Sequence, residues 1–165
     1  MQTTLEDEGV GPQYAESSGS DVAESHDARG HTELVQVHFD DLDLFGMVHN
    51  SRYALFVERA VATYWTAKGW NADPTRSAFP GSHLAVREFL VSYRAPILEP
   101  GFVSVHFWIS RLGNTSVVYE YEIRPPEGDF VYAHGHRTLV SIDPETVKPA
   151  PISEEMRAAA QSLIK

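Results

Sequence analysis

Cysteine is absent from the 165 residues, which removes disulfides, thiolate metal sites and cysteine nucleophiles together and suits a reducing compartment. No stretch approaches the ~20 apolar residues that a membrane-spanning helix needs. Basic charge is scarce: the net charge is −10, which argues against nucleic acid or an anionic membrane as the main partner. The opening MQTTLEDEGV has neither a basic n-region nor an apolar run, so no signal peptide is expected and the expected location is cytoplasmic. A Gly-x-Ser-x-Gly elbow is missing too, and no set of ligands at metal-binding spacing stands out. Neither a serine-hydrolase elbow nor a metal or other cofactor is expected.

The negative charge is local. Residues 1–30 hold seven acids and one arginine, leaving 16 acids against 12 bases in residues 31–165. Residues 1–31, rich in Ser, Gly, Asp and Glu without apolar periodicity, read as a disordered acidic tail. Residues 32–165 read as one domain, long enough for a real core but too short for two.

Within that domain the organising stretch is His38 to Trp65. Apolar residues at Tyr53, Phe56, Val57, Ala60, Val61, Tyr64 and Trp65 follow the i, i+3, i+4, i+7 spacing of one buried helix face. Asn50 or Ser51 is the expected N-cap, with Lys68 and Gly69 as the stop. Before it, Val35, Val37 and Phe39 alternate with Gln36 and His38 as a first strand. After it, residues 71–82 read as a loop, followed by strand patterns at 84–93, 103–110, 117–124 and 130–142, joined by turns rich in Pro, Gly and Asp. A short helix is expected at 153–164. The order β-α-β-β-β-β with short connections implies an α+β domain, one long helix covered by a mainly antiparallel five-stranded sheet.

The residues at the first turn carry a resemblance. Phe39, Asp41, Asp43, Gly46, Val48, His49-Asn50, Tyr53 and Glu58-Arg59-Ala60 stand in order, followed by Tyr93, Pro96, Pro100-Gly101, Asp143 and Lys148-Pro149-Ala150-Pro151-Ile152. Over residues 34–157 this resembles the hotdog fold, specifically the 4-hydroxybenzoyl-CoA thioesterase-like acyl-CoA thioesterases. The run Gly46-Met47-Val48-His49-Asn50 departs from the Gly-Val-Val-Tyr-His of many acyl-CoA members. It stands nearer the Gly-His-Val-Asn-Asn form that includes acyl-ACP thioesterases, so both CoA and acyl carrier protein remain open as carrier.

Thioester hydrolysis needs a nucleophile or a base for water, and donors for the oxyanion. With cysteine, a serine elbow and a metal cluster all missing, carboxylate chemistry is the economical choice. The resemblance places Asp43 at the catalytic aspartate; the plainer alternative is an Asp that caps its own turn. Backbone N–H groups around His49 to Arg52, at the positive end of the helix, are the expected oxyanion donors. His49 is a second candidate, as a hydrogen-bond donor to the carbonyl or as a holder of Asp43 or water, against a histidine packed under the loop. Glu58 is the reserve base, more ordinarily paired with a basic residue such as Arg59 or Arg87. Asp41 more ordinarily orders the loop.

Substrate contacts are expected from Asn50, Ser51 and Tyr53 at the helix start. Arg94, and Arg111 with Thr115 and Ser116, are candidates for the phosphates of the carrier. Phe45, Tyr53, Phe56, Phe79 and Trp65 are available for an acyl pocket, most of them as core. His134 and His136 read as structural. The resemblance further implies a homodimer or homotetramer whose sheets join edge to edge, with the site between subunits. The expected function is hydrolysis of an acyl-CoA or acyl-ACP thioester. A hotdog dehydratase or hydratase, a polyketide-type chain-releasing protein and a non-catalytic acyl-thioester binding domain are the alternatives.

Overall fold

Seven residues on one face of a single helix meet the inner face of a five-stranded sheet, and that contact is the core. The computed structural model describes residues 29–81 and 83–165, so the expected acidic tail falls, up to residue 28, outside the described residues. The chain runs as β1 (His31–Val37), α1 (Asn50–Ala67), β2 (Leu84–Tyr93), β3 (Gly101–Leu112), β4 (Ser116–Arg124), β5 (Ala133–Ser141) and α2 (Glu154–Ala159). The strands form one sheet in the order β1-β3-β4-β5-β2, and every neighbouring pair is antiparallel. This is the α+β hotdog arrangement.

The seven apolar positions read from the helical period are the seven buried residues of α1. They pack on Val103, Val105, Phe107 and Ile109 of β3 and on Val117, Tyr119, Tyr121 and Ile123 of β4, the inward set that strand alternation predicts. Each such aliphatic or aromatic side chain contributes on the order of 1.5–3 kcal/mol by leaving water. Within this apolar layer Trp65 Nε1–H donates to the Tyr119 hydroxyl at 3.0 Å, so both buried polar atoms are satisfied. Gly69, at φ +99°, ends the helix in a conformation that favours glycine.

Gly135 lies on β5 opposite Tyr121 and Val91. The Tyr121 hydroxyl reaches past it to the Leu90 carbonyl at 2.8 Å, and a Cβ at 135 would collide with that same carbonyl oxygen. The missing side chain is what lets β2 approach. β2 is an edge strand, with Val86, Leu90 and Tyr93 all more than 40% exposed.

Three departures from the sequence reading have a clear physical cause. β1 ends at Val37 because the chain tightens into a 3-10 turn at Phe39–Asp41, which turns Phe39 out to 84% exposure. The last strand begins at Ala133 rather than Phe130, since Phe130 faces solvent. The expected C-terminal helix is split into α2 and a 3-10 turn at Ala160–Leu163, whose Ala160 and Leu163 close the core together with Met156 of α2. Among the described residues no helix is long and apolar enough to cross a membrane.

Candidate active site

The loop between the 3-10 turn and α1 is built around two aspartates with different tasks. Asp41 is 2% exposed. Its Oδ2 accepts the His38 N–H at 2.8 Å, its Oδ1 lies 3.3 Å from Arg52 Nε, and its carbonyl accepts the His49 N–H at 2.9 Å. A buried carboxylate held by two partners, together with the backbone carbonyl of the same residue, fixes the loop to the first turn of the helix. Asp41 therefore orders the loop.

Asp43 opens a tight reversal closed by Asp43 N–H to Met47 O at 2.8 Å and Gly46 N–H to Asp43 O at 3.1 Å. Gly46, at φ +73°, supplies the left-handed residue the reversal needs. Asp43 Oδ1 accepts from Phe45 N–H at 2.8 Å and Met47 N–H at 3.4 Å. Oδ1 is thus occupied by the turn, while Oδ2 accepts no hydrogen bond among the described residues. Leu44 and Phe45 form the tip, 103% and 84% exposed, so Phe45 lines no acyl pocket.

The helix cap is His49, not Asn50 or Ser51. Nδ1 of its ring accepts the Ser51 N–H at 3.2 Å and lies 2.9 Å from the Ser51 hydroxyl. An accepting Nδ1 leaves the proton of the neutral ring on Nε2. Of the four N–H groups expected to face the substrate, three are engaged: His49 with Asp41 O, Ser51 with the His49 ring, and Arg52 with His49 O at 2.9 Å. Only the Asn50 N–H is without an acceptor among the described residues.

Asp43, His49, Asn50, Tyr53, Tyr93 and Arg94 line one cavity of about 520 Å³, within the range of small-molecule sites. The Tyr93 hydroxyl donates to Asn50 O at 3.1 Å, and its ring meets Tyr53 edge-on at 4.9 Å. Burial raises the pKa of both hydroxyls, in Tyr53 against the pull of a hydrogen bond from the Ile97 backbone, so both are neutral near pH 7. The cavity thus combines a fixed carboxylate with one open oxygen, an open amide N–H, an imidazole N–H and an arginine. That set can activate water and stabilise an oxyanion.

The sequence model of the thioesterase-like superfamily matches residues 37–160. The chain belongs to the thioesterase-like superfamily. The thioesterase fold is similar to that of a Pseudomonas aeruginosa protein, with TM-score 0.75, 25% identity, and 84% of this chain covering 94% of that one. It is similar to a Thermus thermophilus thioesterase solved with coenzyme A and zinc, with TM-score 0.67, 26% identity and coverages of 83% and 96%. A 1,4-dihydroxy-2-naphthoyl-CoA thioesterase from Synechocystis shares the fold at TM-score 0.71 and 20% identity, with coverages of 80% and 96%.

Several residues expected at the site lie elsewhere in the thioesterase chain. Glu58 faces a second cavity further along α1 and pairs with Arg137 at 2.8 Å, rather than with Arg59 or Arg87. Arg111 and Ser116 line a separate cavity of about 440 Å³ with Arg87 and Thr138. That cavity is on the outer sheet face, because strand alternation and a bulge between Ile109 and Arg111 turn these side chains away from α1. The Thr115 carbonyl accepts the Ser141 N–H at 2.8 Å, a strand-end role. His136 pairs with Glu88 at 3.1 Å. A cavity of about 750 Å³ also lies on the outer face, where Glu122 pairs with Arg124 and Lys165 stands over the Trp108 ring. Arg52 and Tyr93, which position the site, carry no local signal that marks them as such. Tyr93 was legible only as part of the family pattern.

Proposed function

We propose that this thioesterase hydrolyses an acyl thioester carried by CoA or by an acyl carrier protein, with Asp43 as the catalytic carboxylate. The observation that carries the reading is that Asp43, one of whose carboxylate oxygens accepts no hydrogen bond among the described residues, and Asn50, whose N–H has no acceptor among them, line one cavity. The thioester carbonyl oxygen takes the Asn50 N–H and the Nε2–H of His49. Asp43 removes a proton from a water whose oxygen attacks the carbonyl carbon. The tetrahedral oxyanion collapses, the C–S bond breaks, and the thiolate recovers the proton from Asp43. Arg94 at the cavity wall offers a bidentate partner to a carrier phosphate.

The assembly proposed is a homodimer formed through the exposed edge of β2, with a homotetramer of such dimers as its extension. An unpaired strand carrying Val86, Leu90 and Tyr93 is a template for a second copy. Antiparallel pairing of two β2 strands sets the Leu84 end of one beside the Tyr93 end of the other, which closes each Asp43 cavity between subunits. The proposed location is cytoplasmic.

A panel of acyl-CoA and acyl-ACP esters with thiol detection tests the reading. Thiol release by the wild-type chain, lost in Asp43→Asn, is expected. A change in enoyl absorbance without thiol release means a dehydratase instead, and saturable ester binding without turnover means a binding domain.

A further inference from the structure

The second cavity, about 370 Å³, lies between the later turns of α1, the start of β2 and the end of β5. Its walls are apolar, with Trp65, Trp70, Leu84, Leu139 and Met156 prominent. An Arg137–Glu58 ion pair and a histidine break this lining. Arg137 is 7% exposed, and its Nη2 is 2.8 Å from Glu58 Oε2. The Glu58 side chain is itself 59% exposed, so a buried cation is answered by a carboxylate that stands largely in water. A guanidinium carries five N–H donors in a planar fork, and among the described residues Glu58 is the one carboxylate within ion-pair distance of it.

The second polar group is His83, whose Nδ1 is buried without a hydrogen-bond partner among the described residues. The nearby Asp143 does not supply one. Its Oδ1 is taken by the N–H groups of Glu145 and Thr146 and by the Thr146 hydroxyl. Buried polar atoms are ordinarily satisfied, and one that is not leaves room for a water or a ligand group from outside the chain. Here an under-supplied guanidinium and an unpartnered imidazole nitrogen share the wall of one apolar chamber.

We propose that this cavity binds an aryl or cyclic group bearing a carboxylate, which displaces Glu58 from Arg137 and accepts a hydrogen bond from His83 Nδ1–H. A carboxylate matches the planar fork bidentately, and the tryptophan walls take the apolar body. The exposed Glu58 acts as a placeholder: it neutralises Arg137 in the free protein and swings into solvent when the ligand arrives. Resting on the thioesterase reading, the dimer through β2 brings this cavity beside the Asp43 cavity of the other subunit. The ligand is then the far end of the acyl group, and the substrate class is the half-thioester of a cyclic or aromatic dicarboxylic acid.

Calorimetric titration of the full chain with benzene-1,3-dicarboxylate, and with the neutral diamide of the same acid, tests this without turnover. Saturable binding of the dianion is expected, with the diamide at least tenfold weaker. Glu58→Gln, a change at an exposed side chain, removes the competing carboxylate and should tighten the dianion several-fold. Arg137→Gln should weaken it tenfold or more. Equal binding of diamide and dianion overturns the proposal, as does a Glu58→Gln variant whose affinity is unchanged or weaker, the outcome a purely structural ion pair gives. A chain that binds the dianion as described but cleaves no acyl thioester retains this inference and loses the thioesterase reading.

Discussion

Arg52 Nε stands 3.3 Å from Oδ1 of Asp41, and this contact ties the first turn of α1 to the loop that presents Asp43. The arginine also donates to the Asp40 carbonyl at 3.1 Å. Arg52→Met should leave Asp41 buried without its cation, at a cost of about 1–3 kcal/mol. Urea unfolding should report that loss, and thiol release should fall because Asp43 is less firmly held.

Asp43→Asn should lower kcat about 100- to 10,000-fold, the span of a lost general base. Stability should barely change, because an amide oxygen still accepts from Phe45 and Met47. Single turnover in H₂¹⁸O, followed by mass spectrometry of the 38–52 region, separates the two carboxylate routes. Label in the product alone supports attack by water, whereas label in Asp43 marks direct attack by the carboxylate.

Gly46→Ala should destabilise by about 1–2 kcal/mol from the left-handed backbone alone. Nothing lies within 4 Å of a Cβ built there, so steric crowding adds nothing. Gly46→Asn should cost less, since Asn tolerates that region. A denaturant series across the three proteins checks the order.

Burial raises the hydroxyl pKa of Tyr119 and of Tyr121 in the folded state. In the unfolded chain both ionise near the ordinary tyrosine value of about 10. The folded state therefore holds its protons where the unfolded state loses them, and that stability is present below pH ~10 and is lost as pH rises beyond it. Melting temperature should fall steeply above pH ~10, and Tyr121→Phe should flatten the fall.

Val86→Glu on the edge of β2 should shift the chain toward monomer in sedimentation velocity and lower activity with it. Unchanged activity in a monomer overturns the shared site.

The core was legible because it repeats. Seven helix positions and two alternating strands declare themselves by period alone, whatever their partners. The cap was not, because His49 acts through a ring nitrogen whose reach depends on the turn before it, and sequence preference favours Asn50 and Ser51. Phe39 read as buried because alternation was carried past the residue where the strand gives way to a 3-10 turn. Glu58 and Arg137 are separated by about half of the chain, and no local pattern pairs them. Arg111, Thr115 and Ser116 have the right chemistry for a phosphate, but which sheet face they occupy depends on a bulge that leaves no mark in composition.

Gly135 has a consequence for the Asp43 cavity it never lines. Because it carries no side chain, β2 can lean in, and that strand ends at Tyr93 with Arg94 just beyond it. One added methyl would meet the Leu90 carbonyl and lever β2 outward, so the width of the Asp43 cavity is gauged by a carbon atom that is not there.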